Sequence, residues 1–248
     1  MDFKTNLYVL QVIKTIQGEG NTIGMPSMLL RLAGCNCRCP WCDTAWSWND
    51  TRAEEIKPEQ FNEWLANLKE ECGEVTNLMI TGGEPFLYKD NPLFIMLLND
   101  PAFKTIEIET NGSLLDSICI QTLPKKVKLN ISPKLDSTWY INDYGVDYTN
   151  IHNVLPDLIK HNNVLFKFVD DTRYFDKMIE FIEKLNVPKE RIFIMPLTPS
   201  RAVYTREDFL IEVQKSYMKT LKFCLETGYN FSARLHLYLF DDEHEVIK

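Results

Sequence analysis

Short apolar runs alternate with longer amphipathic runs along most of this chain. The short runs are rich in Ile, Leu, Val and Phe and are bounded by turn-forming residues, which is typical of buried β-strands. The sequence therefore predicts strands at SMLLRLA (27–33), VTNLMI (75–80), TIEIET (105–110), KVKLNIS (126–132), VLFKFV (164–169), RIFIM (191–195) and FSARLHL (231–237).

The amphipathic runs between these strands predict helices. The clearest is PEQFNEWLANLKEE (58–71), in which Phe61, Leu65 and Leu68 recur on one helical face. Further helices are predicted at 173–185 and 206–228, the second ending at Gly228 as a C-terminal cap. The segment 111–122 has a weakly helical pattern, and 136–150 is predicted to be a long surface loop.

This alternation of strands and helices favours an α/β fold with a mostly parallel sheet. We expect about six such strands to form a partial, TIM-like barrel with the helices outside. The whole chain, 1–248, is predicted to form a single domain. In such folds the polar residues that follow successive strands meet at one edge, where binding sites form.

The charge balance narrows the possible partners. A formal net charge of -8 disfavours the broad basic surface that binds nucleic acid or an anionic membrane, so a small-molecule substrate is expected. No stretch approaches the roughly 20 apolar residues that span a bilayer, and the N-terminus lacks a signal-peptide pattern. The chain is therefore predicted to be cytoplasmic, with neither a membrane nor a nucleic acid as its partner.

Four cysteines fall close together in GCNCRCPWCDT (34–44). Cys35, Cys39 and Cys42 form a C-x3-C-x2-C pattern, which can bind three irons of a [4Fe–4S] cluster and leave the fourth iron open. A structural zinc site or a redox dithiol are the alternatives, but zinc sites usually take two ligands from each of two separated turns. The spacing therefore favours the cluster, and Cys37 is a surplus thiol.

TGGEP (81–85) follows the next predicted strand. Alone it indicates no more than a turn. Beside a cluster loop, the glycines Gly82 and Gly83 allow close approach to backbone carbonyls, and Glu84 adds a carboxylate acceptor. Together they suit an ammonium group such as that of S-adenosylmethionine, whose amino and carboxylate groups can chelate an open iron.

With these motifs the chain resembles the radical S-adenosylmethionine (radical SAM) superfamily. Within it, the chain is similar to the enzymes of queuosine and 7-deazapurine biosynthesis that contract a pterin ring. The motifs that carry this resemblance, in order, are TIQGEG (15–20), RLAGC (31–35), CDT (42–44), TGGEP (81–85), ETNG (109–112), SPK (132–134) and RLH (234–236).

The resemblance implies three cofactors: a [4Fe–4S] cluster, S-adenosylmethionine and Mg2+. Cys35, Cys39 and Cys42 would bind the cluster, and the hydroxyl of Thr44 would bind Mg2+, although a Thr at this position is equally suited to capping a turn. The residues implied to bind S-adenosylmethionine are Gly82, Gly83, Glu84, Glu109, Ser132, Pro133, Lys134 and, as a weaker candidate, Thr198.

The implied substrate is 6-carboxy-5,6,7,8-tetrahydropterin, bound partly by an N-terminal segment, 1–25. Arg31 would pair with its carboxylate, and Glu19 would accept bonds from the amino-pyrimidinone. The other implied substrate contacts are Ile16, Gln17, Gly18, Thr81 and His236, the last placed on the final predicted strand. A C-terminal extension, 237–248, continues past this histidine, and we expect Asp241 or Asp242 to supply a further carboxylate there.

Two other classes of function remain open. A glycyl-radical activase would share the cluster and the cofactor but would act on a protein and would not need TIQGEG. A non-catalytic zinc or iron–sulfur binding module would contain metal without turnover. The resemblance further implies a homodimer and an electron donor such as flavodoxin or ferredoxin as partners.

Overall fold

The computed structural model describes residues 1–48, 51–199 and 204–240. The strands of these residues are β1 (Leu7–Ile16), β2 (Pro26–Leu32), β3 (Glu54–Ile56), β4 (Asn77–Gly82), β5 (Thr105–Thr110), β6 (Val127–Ile131), β7 (Val164–Asp170), β8 (Ile192–Pro196) and β9 (Asn230–Phe231). Their helices are α1 (Phe61–Cys72), α2 (Pro92–Asn99), α3 (Ser117–Thr122), α4 (Asn150–His161), α5 (Phe175–Leu185), α6 (Arg206–Thr227) and α7 (His236–Leu239).

The chain packs as two compact units. The first unit comprises Met1–Thr15 and Pro26–Val164, and the second comprises Ile16–Met25 and Leu165–Lys248. The short segment Ile16–Met25 therefore belongs to the same unit as the C-terminal part of the chain, although the residues on both sides of it belong to the first unit. The single domain expected over 1–248 stays a prediction.

The first unit contains strands in the order β3-β1-β2-β4-β5-β6. β2, β4, β5 and β6 are parallel, whereas β3 pairs antiparallel with β1. Successive side chains on a strand point to opposite faces, and here one face is apolar, with Ile80, Ile108 and Leu129 fully buried. The opposite face carries buried polar side chains, including Asn77 and Glu107. The parallel strands thus present polar groups on one face of the sheet.

The second unit contains β7, β8 and β9, with β8 parallel to both of the others. α6 packs on β8 and β9, and the Thr220 hydroxyl donates a 2.7 Å hydrogen bond to the buried Asp170 carboxylate of β7. α6 begins after Thr205, whose side chain accepts a bond from the Asp208 N–H, and ends at Gly228 with φ of 76°. This confirms the predicted C-terminal cap.

Most predicted elements are present, and the α/β class with mostly parallel strands is confirmed. The strand predicted over 231–237 is wrong beyond Phe231, because His236 begins the short helix α7. Sequence patterns also missed β1, β3, α2 and α4. The predicted loop 136–150 contains two short 3-10 turns, Ser137–Trp139 and Asn142–Tyr144.

Candidate active site

The cysteine-rich loop follows β2 in the first unit and is held by polar contacts to its own backbone. One guanidinium nitrogen of Arg38 donates to the carbonyls of Cys35 (2.9 Å) and Cys37 (2.7 Å). The buried Asn36 side chain donates to the Ser113 hydroxyl (2.9 Å) and accepts from Asn111 (2.8 Å). The loop is therefore anchored both internally and to the segment that follows β5.

All cysteines of this loop are free thiols, and their environments differ. Hydrogen bonding to Cys35 and Cys39, together with burial, raises the pKa of Cys37, so this thiol stays protonated. The hydrogen bond from Cys37 and the nearby charge of Lys134 lower the pKa of Cys39, although burial opposes the shift. Burial raises the pKa of Cys42. Cys37 thus lies within hydrogen-bonding reach of the sulfur atoms of Cys35 and Cys39.

Thr44 lies two residues beyond the last cysteine of the C-x3-C-x2-C pattern. Its hydroxyl is 3.7 Å from the Cys42 sulfur, and its carbonyl accepts a 2.8 Å bond from the Ser47 N–H. The half-buried hydroxyl therefore lies beside the cysteine set. Its predicted role as a Mg2+ ligand stays a prediction.

The Gly82–Gly83–Glu84 turn lies directly against the cysteine loop. The Gly83 N–H bonds to the Leu32 carbonyl (3.0 Å), and the Glu84 N–H bonds to the Gly34 carbonyl (2.7 Å). A Cβ on Gly83 would lie 1.8 Å from the Gly34 oxygen, so only glycine permits this approach. The sequence expectation that the two motifs meet at strand ends is confirmed by these contacts.

The Glu84 carboxylate is almost fully buried. Its Oε1 accepts bonds from the Phe86 N–H (3.0 Å) and the Thr110 hydroxyl (2.6 Å), and its Oε2 accepts from the Asn111 N–H (2.7 Å). Burial raises its pKa, while these hydrogen bonds oppose the shift. Since Oε2 accepts one bond, it retains an acceptor position, and its predicted contact with an ammonium group stays a prediction.

The other predicted cofactor residues of the first unit lie at the ends of β5 and β6. Glu109 accepts a 2.8 Å bond from the Asn130 side chain, and the Ser132 N–H donates to the Thr110 carbonyl (2.7 Å). Lys134 donates to the Ser132 hydroxyl (3.0 Å), and its ammonium group lies 5.1 Å from the centre of the Trp41 ring. Pro133, between these two residues, is buried.

Arg31 and Thr81 are neighbours in register on the parallel strands β2 and β4. The Arg31 side chain is nearly buried, its Nε donates to the Gln11 side chain (3.1 Å), and its guanidinium lies 5.4 Å from the centre of the Trp46 ring. A surface ion pair is the usual reason for an arginine on a strand, but burial excludes it here. The structure therefore presents Arg31 as a fixed planar cation.

The second unit gathers the predicted residues of the TIQGEG motif around Glu19. The Glu19 carboxylate pairs through Oε2 with Lys167 of β7 and through Oε1 with Arg234 (3.0 Å). Burial favours the neutral acid, yet these two cations hold the pKa of Glu19 well below its usual range. Gln17 is buried, and its side chain accepts from the Glu19 N–H (3.1 Å). Ile16 precedes it at the end of β1.

Gly18 brings the same motif against His236. The Gly18 carbonyl accepts a 2.9 Å bond from the Leu235 N–H, and a Cβ on Gly18 would lie 2.2 Å from Nδ1 of His236. Arg234 also donates to the Thr198 hydroxyl (2.5 Å). The second unit therefore brings together four of the predicted positions, namely Gly18, Glu19, Thr198 and His236.

Sequence reasoning missed Lys167, Arg38 and Asn111 and did not single out Arg234 within the RLH motif. Lys167 had a signal, because it is a lone cation in the otherwise apolar run VLFKFV. Asp241 and Asp242 lie outside the described residues. Within the described ranges, no three Cys, His, Asp or Glu side chains are gathered closely enough to hold a metal ion, and no helix is long and apolar enough to cross a membrane.

Residues 30–136 of the chain match the radical SAM superfamily. This range contains the cysteine loop, the glycine turn held against it and the residues that follow β5 and β6. The fold and these motifs therefore define a radical SAM enzyme.

Over 94% of its length the chain is 31% identical to the 7-carboxy-7-deazaguanine synthase of Hyperthermus butylicus, and the match covers 92% of that protein. It belongs to the 7-carboxy-7-deazaguanine synthase family. The synthase of Aquifex aeolicus is 27% identical, with 84% of each chain covered.

Among solved structures, QueE of Escherichia coli superposes with a TM-score of 0.65, covering 92% of this chain and 93% of that one. At 21% identity, this likeness concerns the fold. It confirms the predicted class, an α/β partial barrel of the radical SAM type.

The cofactors of the enzyme are a [4Fe–4S] cluster, S-adenosylmethionine and Mg2+, as predicted. The donor chemistry of the chain fits them. Three free thiols on one loop are separated by three and by two intervening residues, and Cys39 has a lowered pKa, which favours the thiolate that binds iron. The Thr44 hydroxyl is a hard oxygen donor of the kind that Mg2+ prefers.

Proposed function

We propose that this chain converts 6-carboxy-5,6,7,8-tetrahydropterin to 7-carboxy-7-deazaguanine with loss of ammonia. The observation that carries the proposal is the ionised Glu19 in the second unit, held between Lys167 and Arg234. An amino-pyrimidinone ring presents adjacent N–H donors, which a fixed carboxylate can accept. An activase that acts on a protein has no use for such an acceptor.

Binding of the cofactors is assigned to the cysteine loop, the glycine turn and the ends of β5 and β6, with Thr198 as a weaker candidate. When bound, the cluster and S-adenosylmethionine supply the radical chemistry that removes hydrogen from C6 of the pterin. Cys35, Cys39 and Cys42 would hold the cluster, and Thr44 would hold Mg2+. The residues assigned to S-adenosylmethionine are Gly82, Gly83, Glu84, Glu109, Ser132, Pro133, Lys134 and Thr198.

The open acceptor position on Oε2 of Glu84 supports its assignment to the ammonium group of S-adenosylmethionine. Gly83 brings this carboxylate to the cysteine loop through the bond between the Glu84 N–H and the Gly34 carbonyl. The three hydrogen bonds that Glu84 accepts fix its orientation, so little ordering is required when the cofactor binds.

Arg31 is assigned to the pterin carboxylate. Gln11 and the Trp46 ring hold its guanidinium, and a planar cation fixed in this way can bind a carboxylate through two parallel hydrogen bonds. Thr81, its neighbour in register, supplies a hydroxyl on the same side of the sheet. Ile16, Gln17, Gly18 and His236 are assigned to the pterin with Glu19.

A functional test is mass spectrometry of an anaerobic reaction with reconstituted protein, reductant, Mg2+, S-adenosylmethionine and the pterin. We expect a product lighter than the substrate by one ammonia. Cys39→Ala should abolish it, whereas the matched variant Cys37→Ala should retain it. Formation of 5′-deoxyadenosine with an unchanged pterin would contradict the assigned substrate.

The electron donor, a flavodoxin or a ferredoxin, and the homodimeric state stay predictions, as do the cytoplasmic location and the carboxylate expected from Asp241 or Asp242.

A further inference from the structure

Residues 232–236 of the second unit contact every residue of the segment 18–20. The Ser232 hydroxyl accepts from the Gly20 N–H (2.9 Å), the Leu235 N–H donates to the Gly18 carbonyl (2.9 Å), and Arg234 pairs with Glu19 (3.0 Å). These contacts combine main-chain and side-chain groups from both segments. The segment that carries Glu19 is therefore positioned by residues 232–236.

The Arg234 side chain makes a second contact in a different loop. Its Nε donates to Oε1 of Glu19, and its Nη1 donates to the Thr198 hydroxyl (2.5 Å), which follows β8. The Arg234 N–H also donates to the Tyr217 hydroxyl of α6 (2.5 Å), and the side chain is only 12% exposed. The guanidinium is thus bonded to two side chains, and the backbone of the same residue is held by a third.

We propose that Arg234 is a positioning residue that couples substrate binding at Glu19 to cofactor binding at Thr198. The inference rests on the proposed function, in which Glu19 binds the pterin and Thr198 lies on the S-adenosylmethionine side. A guanidinium is rigid and planar, so a displacement of Glu19 on binding is transmitted to the group bonded at the other nitrogen. Each ligand then tightens the binding of the other by the same factor.

Lys167 allows the coupling to be tested in a folded variant, because it still pairs with Glu19 when Arg234 is replaced. It pairs with Oε2 of Glu19, whereas Nε of Arg234 donates to Oε1. Replacing Arg234 therefore leaves the ion pair between Lys167 and the largely buried Glu19 carboxylate in place, and the second unit is expected to fold. A lysine at position 234 keeps the positive charge but is a single donor point, so it cannot join Glu19 and Thr198 through a planar fork.

The test compares the dissociation constant of S-adenosylmethionine with and without the pterin, measured by calorimetry on anaerobic, cluster-loaded protein before reductant is added. In the wild type we expect the pterin to lower this constant by roughly fivefold or more. In Arg234→Lys the ratio of the two constants should approach one. The matched control is Arg173→Lys, because Arg173 is exposed and pairs with Asp171 in the same unit, and it should keep the wild-type ratio.

The inference would be overturned if the ratio of the two S-adenosylmethionine dissociation constants, without and with the pterin, were the same in the wild type and in Arg234→Lys. It would also be overturned if this ratio were one in the wild type. If Arg234→Lys melts well below Arg173→Lys, then Thr198→Val decides in its place: it removes the hydroxyl that accepts from Arg234, and any direct loss of S-adenosylmethionine affinity affects both constants and leaves their ratio as the readout. A ratio near one in that variant supports the coupling, and an unchanged ratio overturns it. Absence of product from the reduced wild-type enzyme would refute the proposed function instead, so the two failures are distinct.

Discussion

Replacing Gly83 by alanine tests the contact between the glycine turn and the cysteine loop. The added Cβ would lie 1.8 Å from the Gly34 oxygen and 3.0 Å from the Cys35 Cβ. Because two backbone segments meet here, the turn must move by roughly 1 Å or more, which strains the packing. It also weakens the hydrogen bonds from Gly83 to Leu32 and from Glu84 to Gly34.

Overpacking of a filled site costs about 1–3 kcal/mol, and each hydrogen bond contributes about 1 kcal/mol. The free energy of unfolding of Gly83→Ala should therefore fall by about 2–5 kcal/mol, which lowers Tm by roughly 5–15 °C for a chain of this size. Because Cys35 is displaced, the iron and sulfide bound after reconstitution should fall as well.

The assay is thermal unfolding of the cluster-free protein by circular dichroism, followed by iron and sulfide analysis after reconstitution. Gly145→Ala is the matched control, because Gly145 has φ of 62° but no atom lies within 4 Å of the position that its Cβ would take. It should lose about 1 kcal/mol through backbone strain alone and retain full iron content. Gly83→Ala with the same Tm and full iron content would refute the argument from close approach.

Three further perturbations test other contacts. Cys37→Ala should keep the iron, sulfide and visible absorbance of the wild type, because Cys37 lies outside the C-x3-C-x2-C set; loss of iron would show that the ligand set is wrong. Gly18→Ala should raise KM for the pterin about tenfold, because its Cβ would meet the ring of His236 at 2.2 Å; an unchanged KM in steady-state kinetics would contradict this. Lys167→Met should lower the free energy of unfolding by about 3 kcal/mol at pH 7, since the largely buried Glu19 carboxylate loses one of its cations. The lowered pKa of Glu19 stabilises the folded state above its unfolded pKa of about 4.3, and this stability is lost as the pH falls below that value. In urea titrations, the difference in the free energy of unfolding between wild type and Lys167→Met should therefore shrink below about pH 4. A difference that stays constant with pH would argue against the ion pair.

The parallel strands and the amphipathic helices were predictable because their signals are local. TIEIET became β5 over its full length, and the apolar stripe of 58–71 became α1. By contrast, α2 was missed because PLFIMLLN is apolar on all sides and has no helical period. β3 is only three residues long with two of them exposed, so it forms through pairing with β1 and not through its own pattern.

In the candidate site, too, features with a local sequence pattern were predictable, and contacts between distant residues were not. The cysteine set and the glycine turn were predictable because their spacing reflects the chemistry that they perform. The partners of Glu19 were not, because Lys167 and Arg234 lie 148 and 215 residues away in sequence. His236 was placed on a strand because its apolar neighbours resemble one, whereas only Asn230 and Phe231 pair with β8.

The membership of Ile16–Met25 in the second unit has a consequence for the order in which the protein is assembled. All the described contacts of the cysteine loop join residues that precede Leu165, so they can form while the ribosome is still translating the C-terminal part. The segment 18–20 is synthesised early, but its bonds to residues 232–236 span more than two hundred residues and cannot form until those residues have been synthesised. Closing so long a loop is slow, because its entropic cost precedes the gain from the contacts. Glu19 is therefore synthesised long before its partner Arg234, and a chain whose translation stops before residue 234 contains the whole cysteine loop but lacks this partner.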